Sequence, residues 1–138
     1  MNTSAEAPPL KRQDITTDGD VVTARQVGRC IASDMGFSRP DQALIATAIS
    51  ELARNIVNYA GQGEILLDII SRGGRNGLRV VASDDGPGID DIDAALCDGF
   101  STGNSLGLGL PGTRRIVDEF DLSSAAGEGV RVTAIKWL

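Results

Sequence analysis

Apolar residues recur at helical spacing over two long segments in the first half of the chain. The first covers residues 20–35, and Gly36 follows it where helices often end in a left-handed residue. The second begins at Ser38, a typical N-cap residue, with Asp41 placed as its capping-box partner. Its apolar stripe continues to Gly61. These patterns predict two amphipathic helices.

Shorter segments rich in β-branched and aliphatic residues predict strands. Residues 10–16 are a first candidate, and residues 64–84 predict an antiparallel hairpin because the central "GGRN" is typical of a tight turn. Helical spacing returns in "TRRIVDEF", residues 113–120, and two last strands turn at residues 127–129. This order of elements predicts an α+β fold. We expect a two-layer α/β sandwich, with a mixed, mostly antiparallel sheet and its helices on one face.

Two segments carry little core-forming material. Residues 1–9 are small and polar with a proline pair, and predict a flexible leader before a single domain at residues 10–138. Residues 84–112 are rich in glycine and acidic residues, with one possible short helix at residues 92–96. A loop this long inside a small domain is usually functional. Its acidic part, residues 90–98, predicts a mobile lid.

The charge of the chain excludes several classes of partner. Its 138 residues carry a net charge of −6 without a run of lysine or arginine, whereas nucleic acids and anionic lipid surfaces require a basic footprint. No apolar stretch is long enough for a signal peptide or a membrane span, so we expect a cytoplasmic protein. Binding to nucleic acid or to a membrane is therefore not expected.

Glu51 and Asn55 stand one turn apart on the second predicted helix, beside its apolar stripe. A single glutamate on a helix is most often solvated. An amide oxygen such as that of Asn55, however, suits Mg²⁺ bound to phosphates, which takes only one or two protein ligands. Glu51 is then positioned to accept a proton from the group that attacks a phosphate.

Glycines at the start of the last helix, in "GLGLPG", predict an anion site. Backbone N–H groups at a helix N-terminus can approach an anion closely, and the helix dipole favours negative charge there. The pattern does not indicate a Rossmann fold, because a long loop rather than a strand precedes it. No lysine or arginine occurs between Arg79 and Arg114. Main-chain amides and a divalent cation would therefore neutralise most of a polyphosphate.

Together, three stretches resemble the signature motifs of the Bergerat-fold ATPases, the group that contains gyrase, chaperone, histidine-kinase and MutL ATP-binding domains. "ELARN" is similar to their E-x-x-x-N box, "DDGPG" to D-x-G-x-G, and "GLGL" to the glycine-rich end of their ATP lid. The size and the C-terminal half are similar to the RsbT type of switch serine/threonine-protein kinase from bacterial stressosome and partner-switching modules. Anti-sigma-factor serine kinases are related to this type.

The resemblance implies roles for individual residues. Glu51 would be the catalytic base, Asn55 the Mg²⁺ ligand and Asp84 the adenine-binding residue, with Gly86 and Gly88 shaping the adenine pocket. The main-chain amides expected to line the phosphates of ATP are those of Gly107, Leu108, Gly109 and Leu110. Weaker candidates for phosphate contacts are Arg54, Ser101 and Thr102.

The resemblance also implies a kinase that moves the γ-phosphate of ATP, with Mg²⁺, to a serine or threonine of a protein partner. That partner is expected to be a STAS-domain antagonist or scaffold, whose phosphorylation would release the kinase to act on a downstream regulator such as a phosphatase. The alternative is an anti-sigma-like module that captures its partner stoichiometrically, with ATP as a structural ligand. A sensor histidine kinase fragment is disfavoured because the chain contains no histidine.

Overall fold

A computed structural model describes residues 10–88, 109–124 and 127–138. In chain order the elements are strand β1 Lys11–Ile15, helix α1 Asp18–Met35, helix α2 Arg39–Asn55, a π-helical turn Ile56–Ala60, strands β2 Gly63–Arg72 and β3 Arg75–Asp84, helix α3 Gly109–Ile116, and strands β4 Glu119–Ser124 and β5 Val130–Trp137. The predicted order of elements is confirmed. The leader at residues 1–9, the short helix at 92–96 and the lid at 90–98 lie outside the described residues.

The five strands form one sheet in the order β1-β2-β3-β5-β4. All four pairings between the described strands are antiparallel, which confirms a mostly antiparallel sheet. The central hairpin turns at Gly73 and Gly74, whose φ angles of 60° and 82° are those a two-residue hairpin turn needs. Asp84, the last residue of β3, pairs with Gly63 on β2 and with Val130 on β5. It therefore lies at one end of the sheet, between two neighbouring strands.

Helices α1 and α2 lie on one face of the sheet and complete the predicted two-layer sandwich. The core between the layers includes the buried residues Ile15, Ile65, Leu67, Leu78 and Val80 from the strands and Val21, Ile45, Ile49 and Leu52 from the helices. The two helices lie close together at Gly28, where a Cβ atom would lie 2.1 Å from Cδ1 of Ile49. A glycine at this position lets the helix carrying Glu51 pack tightly against α1.

Local hydrogen bonds set the helix starts. Helix α1 begins at Asp18, earlier than predicted, because Thr17 is its N-cap and Asp20 closes a capping box with it. Helix α2 follows Ser38, whose hydroxyl oxygen accepts a hydrogen bond from the Asp41 N–H at 3.3 Å. This bond is the Ser38 half of the predicted capping box.

The predicted start of the last helix within "GLGLPG" is confirmed, but its predicted continuation to Phe120 is wrong. Helix α3 spans Gly109–Ile116, and Phe120 belongs to strand β4. Phe120 pairs with Ala134 on β5, and the Asp118 N–H donates to the Ile135 carbonyl oxygen at 2.9 Å. Pairing with a strand that comes later in the chain overrides the local helical spacing, as tertiary context often does.

Candidate active site

Main-chain donors fix the Asp84 carboxylate at the end of the sheet. Its Oδ1 atom accepts hydrogen bonds from the Gly86 N–H at 2.8 Å and from the Val130 N–H at 3.3 Å. The first bond closes a turn of the Asx type, and the second ties the carboxylate to the neighbouring strand. Gly88, also expected here, has a φ of 82°, which favours glycine. Because both bonds use Oδ1, Oδ2 is the oxygen that can accept an N–H group from a ligand.

Three glycines bring the main chain close around Asp84. At Gly129, whose φ is 80°, a Cβ atom would lie 2.1 Å from the Asp84 carbonyl oxygen. At Gly63 it would lie 2.4 Å from a carbonyl oxygen of β3, and at Gly86 it would lie 2.6 Å from Cβ of Ala60. The sequence prediction included Gly86 but missed Gly63 and Gly129. The available signal was a glycine at or just before the start of each strand that pairs with Asp84.

Glu51 is buried between α2 and the first turn of α3, with only 4% of its surface exposed. Its Oε1 atom accepts a hydrogen bond from the Gly109 N–H at 3.0 Å, and its Oε2 atom accepts one from Arg54 Nη1 at 2.5 Å. A carboxylate taken out of water is destabilising unless charged or hydrogen-bonding partners compensate it. One main-chain donor and one guanidinium provide that compensation here.

The first turn of α3 is fixed next to Glu51. The Gly109 carbonyl oxygen accepts a hydrogen bond from Thr113 Oγ1 at 2.8 Å, and Thr113 is fully buried. The Gly109 amide, predicted to contact phosphate, donates to Glu51 in this structure. Leu110 is partly buried and packs against the core. The other predicted phosphate contacts, Ser101, Thr102, Gly107 and Leu108, lie outside the described residues.

The π-helical turn connects the surroundings of the two carboxylates. Asn55 is half-buried and is the last residue of α2, directly before the turn. Turns of this kind occur frequently at functional sites. Its last residue, Ala60, lies against Gly86 beside Asp84. One continuous helical segment therefore leads from Glu51 and Asn55 to the Asp84 end of the sheet.

The oxygen donors available to a metal ion are few. Among residues 10–88, 109–124 and 127–138, no group of three or more His, Cys, Asp or Glu side chains could hold a metal ion. Asn55 offers a single amide oxygen at the end of α2. This donor set fits Mg²⁺ that arrives with nucleotide phosphates and needs only one or two protein ligands. It does not suit a metal ion held by the described protein side chains alone.

A cleft of about 420 Å³ lies at the same end of the sheet. Its lining includes Arg12, Glu64, Asp84 and Asp85. Arg12 and Glu64 form an ion pair at 2.8 Å on the sheet face opposite the helices. Neither Glu51 nor Asn55 lines this cleft. It is therefore not where the predicted base and metal ligand lie.

Comparison with known proteins assigns this chain to a family. Residues 40–138 match the family described as histidine kinase-, DNA gyrase B-, and HSP90-like ATPase. The chain belongs to this family. It is 55% identical over 124 residues to the serine/threonine-protein kinase RsbT of Bacillus subtilis (strain 168). The match covers 90% of this chain and 93% of the relative. At that identity and coverage the chain is an enzyme of the RsbT type, a serine/threonine-protein kinase.

More distant relatives extend the likeness to anti-sigma factors. The anti-sigma F factor of Thermoanaerobacter sp. (strain X514) is 27% identical over 119 residues, covering 83% of each chain. Among solved structures, the RsbU and RsbW domains of Rv1364c from Mycobacterium tuberculosis match 93% of this chain and 32% of that chain, with a TM-score of 0.62 and 21% identity. The mycobacterial sensor histidine kinase MprB matches 92% of this chain and 96% of that chain, with a TM-score of 0.55 and 14% identity. Both structural matches show the fold alone.

Family membership confirms the predicted α+β fold and the use of ATP by this kinase. The roles of Glu51, Asn55 and Asp84 stay predictions, now with defined surroundings for Glu51 and Asp84. Within the part of the chain that the structure describes, no helix is both long enough and apolar enough to cross a membrane.

Proposed function

We propose that this kinase transfers the γ-phosphate of ATP to a serine or threonine hydroxyl of a STAS-domain antagonist or scaffold protein. In this role it acts in the cytoplasm as a partner-switching regulator of a stress-signalling (stressosome) pathway, and its release engages a downstream regulator such as a phosphatase. The observation that carries the proposal is the buried Glu51 carboxylate, one turn from Asn55, in a chain 55% identical to a named serine/threonine-protein kinase.

Asp84 binds the adenine ring in this proposal. Its Oδ1 atom is occupied by the Gly86 and Val130 N–H groups, so its Oδ2 atom accepts a hydrogen bond from the exocyclic amine. A carboxylate acceptor fixed by main-chain donors is already oriented before the ligand arrives, which reduces the entropic cost of binding. Gly86 and Gly88 keep side chains away from the ring.

Asn55 contributes an amide oxygen to Mg²⁺, which neutralises charge on the phosphates when it is bound. Main-chain amides at residues 107–110, with Ser101 and Thr102 as weaker candidates, complete the phosphate contacts. The Gly109 amide donates to Glu51. For this amide to contact a phosphate, its hydrogen bond to Glu51 has to break and be replaced by one to a phosphate oxygen.

Glu51 accepts the proton of the attacking hydroxyl. As the bond from the hydroxyl oxygen to the γ-phosphorus forms, the bond from that phosphorus to the β–γ bridging oxygen breaks, and ADP leaves with the electron pair. The proton passes to the Glu51 carboxylate and is later released to water. A positioned base of this kind contributes typically 10²–10⁴-fold to the rate.

A second candidate function, stoichiometric capture of a partner, is favoured by the likeness to proteins named as anti-sigma F factors. In that function ATP would be a structural ligand and Glu51 would not act as a base. The two functions differ in turnover, because a catalyst modifies an excess of its partner whereas a pure binder saturates at a fixed ratio.

The test mixes the kinase with Mg-ATP and an excess of a purified STAS-domain protein, and follows intact masses over time. We expect one phosphate on most of the excess partner with the wild type and at least about a 100-fold slower gain with Glu51→Gln. A stable complex without any mass change would contradict the proposal and support the binding module. Full activity of Glu51→Gln would remove Glu51 from the role of base.

A further inference from the structure

Arg54 stands between the two residues of the E-x-x-x-N box and donates to the predicted base. Its Nη1 atom lies 2.5 Å from Glu51 Oε2, on the same helix three residues further along. The Glu51 side chain is 6% exposed, whereas that of Arg54 is 33% exposed. The pair therefore has one buried end and one end open to solvent.

The Glu51 carboxylate is held from two directions. Gly109, at the start of α3, donates to one oxygen, and Arg54 donates to the other. The Gly109 contact fixes the carboxylate against a helix that begins 58 residues later in the chain. The Arg54 contact prevents the Glu51 carboxylate from rotating about its hydrogen bond to Gly109. With both donors present, the plane of the carboxylate and the direction of its remaining lone pairs are defined.

We propose that Arg54 is a positioning residue that orients Glu51 for proton transfer, and that it acts through Glu51 rather than on the phosphates of ATP. This inference rests on the proposed function. A base must lie within hydrogen-bonding reach of the proton it accepts, and small misplacements slow transfer steeply. A planar guanidinium suits the task because it holds a carboxylate in a fixed orientation, whereas an ammonium group acts as a point charge.

The two roles considered for Arg54, orienting Glu51 and binding phosphate, predict different kinetics. A residue that orients the base affects the transition state, so its loss lowers kcat and leaves ATP binding nearly unchanged. A residue that binds phosphate in the ground state contributes to ATP affinity, so its loss raises the dissociation constant and KM. The double substitution separates them further, because a residue acting through Glu51 has nothing left to orient once Glu51 is replaced.

The experiment compares wild type, Arg54→Lys, Arg54→Met, Glu51→Gln and the double variant Arg54→Met/Glu51→Gln. Phosphate transfer to excess STAS-domain partner gives kcat and KM, and isothermal titration gives the Mg-ATP dissociation constant. Arg39→Met is the matched control, since Arg39 is exposed on the same helix about four turns away.

We expect Arg54→Met to lower kcat by roughly 100-fold while the dissociation constant for Mg-ATP changes by less than about threefold. Arg54→Lys should recover about tenfold of the lost rate. The double variant should be no slower than Glu51→Gln, free guanidinium ion should partly restore Arg54→Met, and Arg39→Met should match the wild type.

Three results would overturn the inference. Full kcat in Arg54→Met would remove Arg54 from catalysis while the wild-type turnover still upholds the proposed function. A rise of tenfold or more in the dissociation constant with kcat preserved would make Arg54 a phosphate ligand. A wild type that transfers no phosphate would overturn the proposed function itself and the role of Arg54 with it.

Discussion

Asp84 and Glu51 are both carboxylates of the candidate site, yet different kinds of contact hold them. Asp84 receives two main-chain N–H groups, from Gly86 and Val130, whose positions follow from the turn and the strand register. Glu51 receives one main-chain N–H, from Gly109, and one side-chain donor, from Arg54. The Asp84 end is thus part of the sheet, whereas the Glu51 end depends on the contact between two helices.

This difference in contacts indicates which part of the site is already fixed before ATP binds. Backbone ladders of the sheet cannot shift without unpairing strands, so the proposed adenine acceptor is rigid before ATP binds. The contact of Glu51 with α3 joins segments 58 residues apart and uses the N–H of the first residue of a helix, a group that has no partner within its own helix and can be satisfied by a ligand instead. We therefore expect binding to depend on the Asp84 end and phosphate transfer on the Glu51 end.

The largest effect is expected from Gly129→Ala. Its new Cβ atom would lie 2.1 Å from the Asp84 carbonyl oxygen, which belongs to the backbone, and its φ of 80° is unfavourable for alanine. We expect a loss of at least about 3 kcal/mol in the free energy of unfolding and weakened ATP binding. Urea unfolding and calorimetry measure both quantities.

Gly127→Ala is the matched control for that change, because it has a similar φ of 77° with no atom within 4 Å of the new Cβ. It should cost only about 1–2 kcal/mol and leave ATP affinity unchanged. Equal losses from the two substitutions would show that backbone conformation, and not the close approach to Asp84, explains Gly129.

A smaller effect is expected from Gly28→Ala, away from both carboxylates. The new Cβ would lie 2.1 Å from Cδ1 of Ile49, the flexible end of a side chain, so the free energy of unfolding should fall by about 1 kcal/mol after the gain in helix propensity. Adding Ile49→Val, which removes that atom, should recover part of the loss. If Gly28→Ala changed the free energy of ATP binding more than the free energy of unfolding, the contact between α1 and α2 would be part of the ATP site.

The smallest effect is expected from Asp20→Asn, at the start of α1. Hydrogen bonds from the Thr16 N–H and hydroxyl, then from Thr17, hold the pKa of Asp20 below its ordinary value of 3.8. A carboxyl with a lowered pKa stabilises the fold fully above that ordinary value and loses its contribution as the pH falls through the lower folded value. The wild type should therefore melt slightly above Asp20→Asn at pH 7.

Melting curves from pH 7 down to pH 2 measure this difference, with Asp18→Asn as the control for an acidic residue in the same helical turn. A difference that grew as the pH fell would contradict the capping role of the Asp20 carboxylate. ATP affinity at pH 7 should be the same for both variants and the wild type.

Local patterns predicted most of the fold. Both long helices and the central hairpin follow from spacing, caps and turn residues, each of which depends on neighbours in the sequence. The end of α3 could not be predicted this way, because Phe120 enters a strand only through pairing with β5. Helical spacing at Ile116 and Val117 gave no sign of that distant partner.

The candidate site was predictable as a set of residues but not as a set of contacts. The E-x-x-x-N spacing indicated Glu51 and Asn55, and an i, i+3 separation is compatible with the pair of Glu51 and Arg54. No local signal showed that Gly109 would donate to Glu51, since the two come together only when α3 packs on α2. The crowding at Gly63 and Gly129 likewise depends on the strand register around Asp84.

The most direct test of this division between binding and transfer is the Mg-ATP affinity of Asp84→Asn and Glu51→Gln, measured by isothermal titration. Asn at position 84 keeps an oxygen for the Gly86 and Val130 N–H groups but turns an amide donor toward the ligand amine. We predict at least about tenfold weaker binding for Asp84→Asn and less than about threefold change for Glu51→Gln. Unchanged affinity in Asp84→Asn, or an equal loss in Glu51→Gln, would contradict the account.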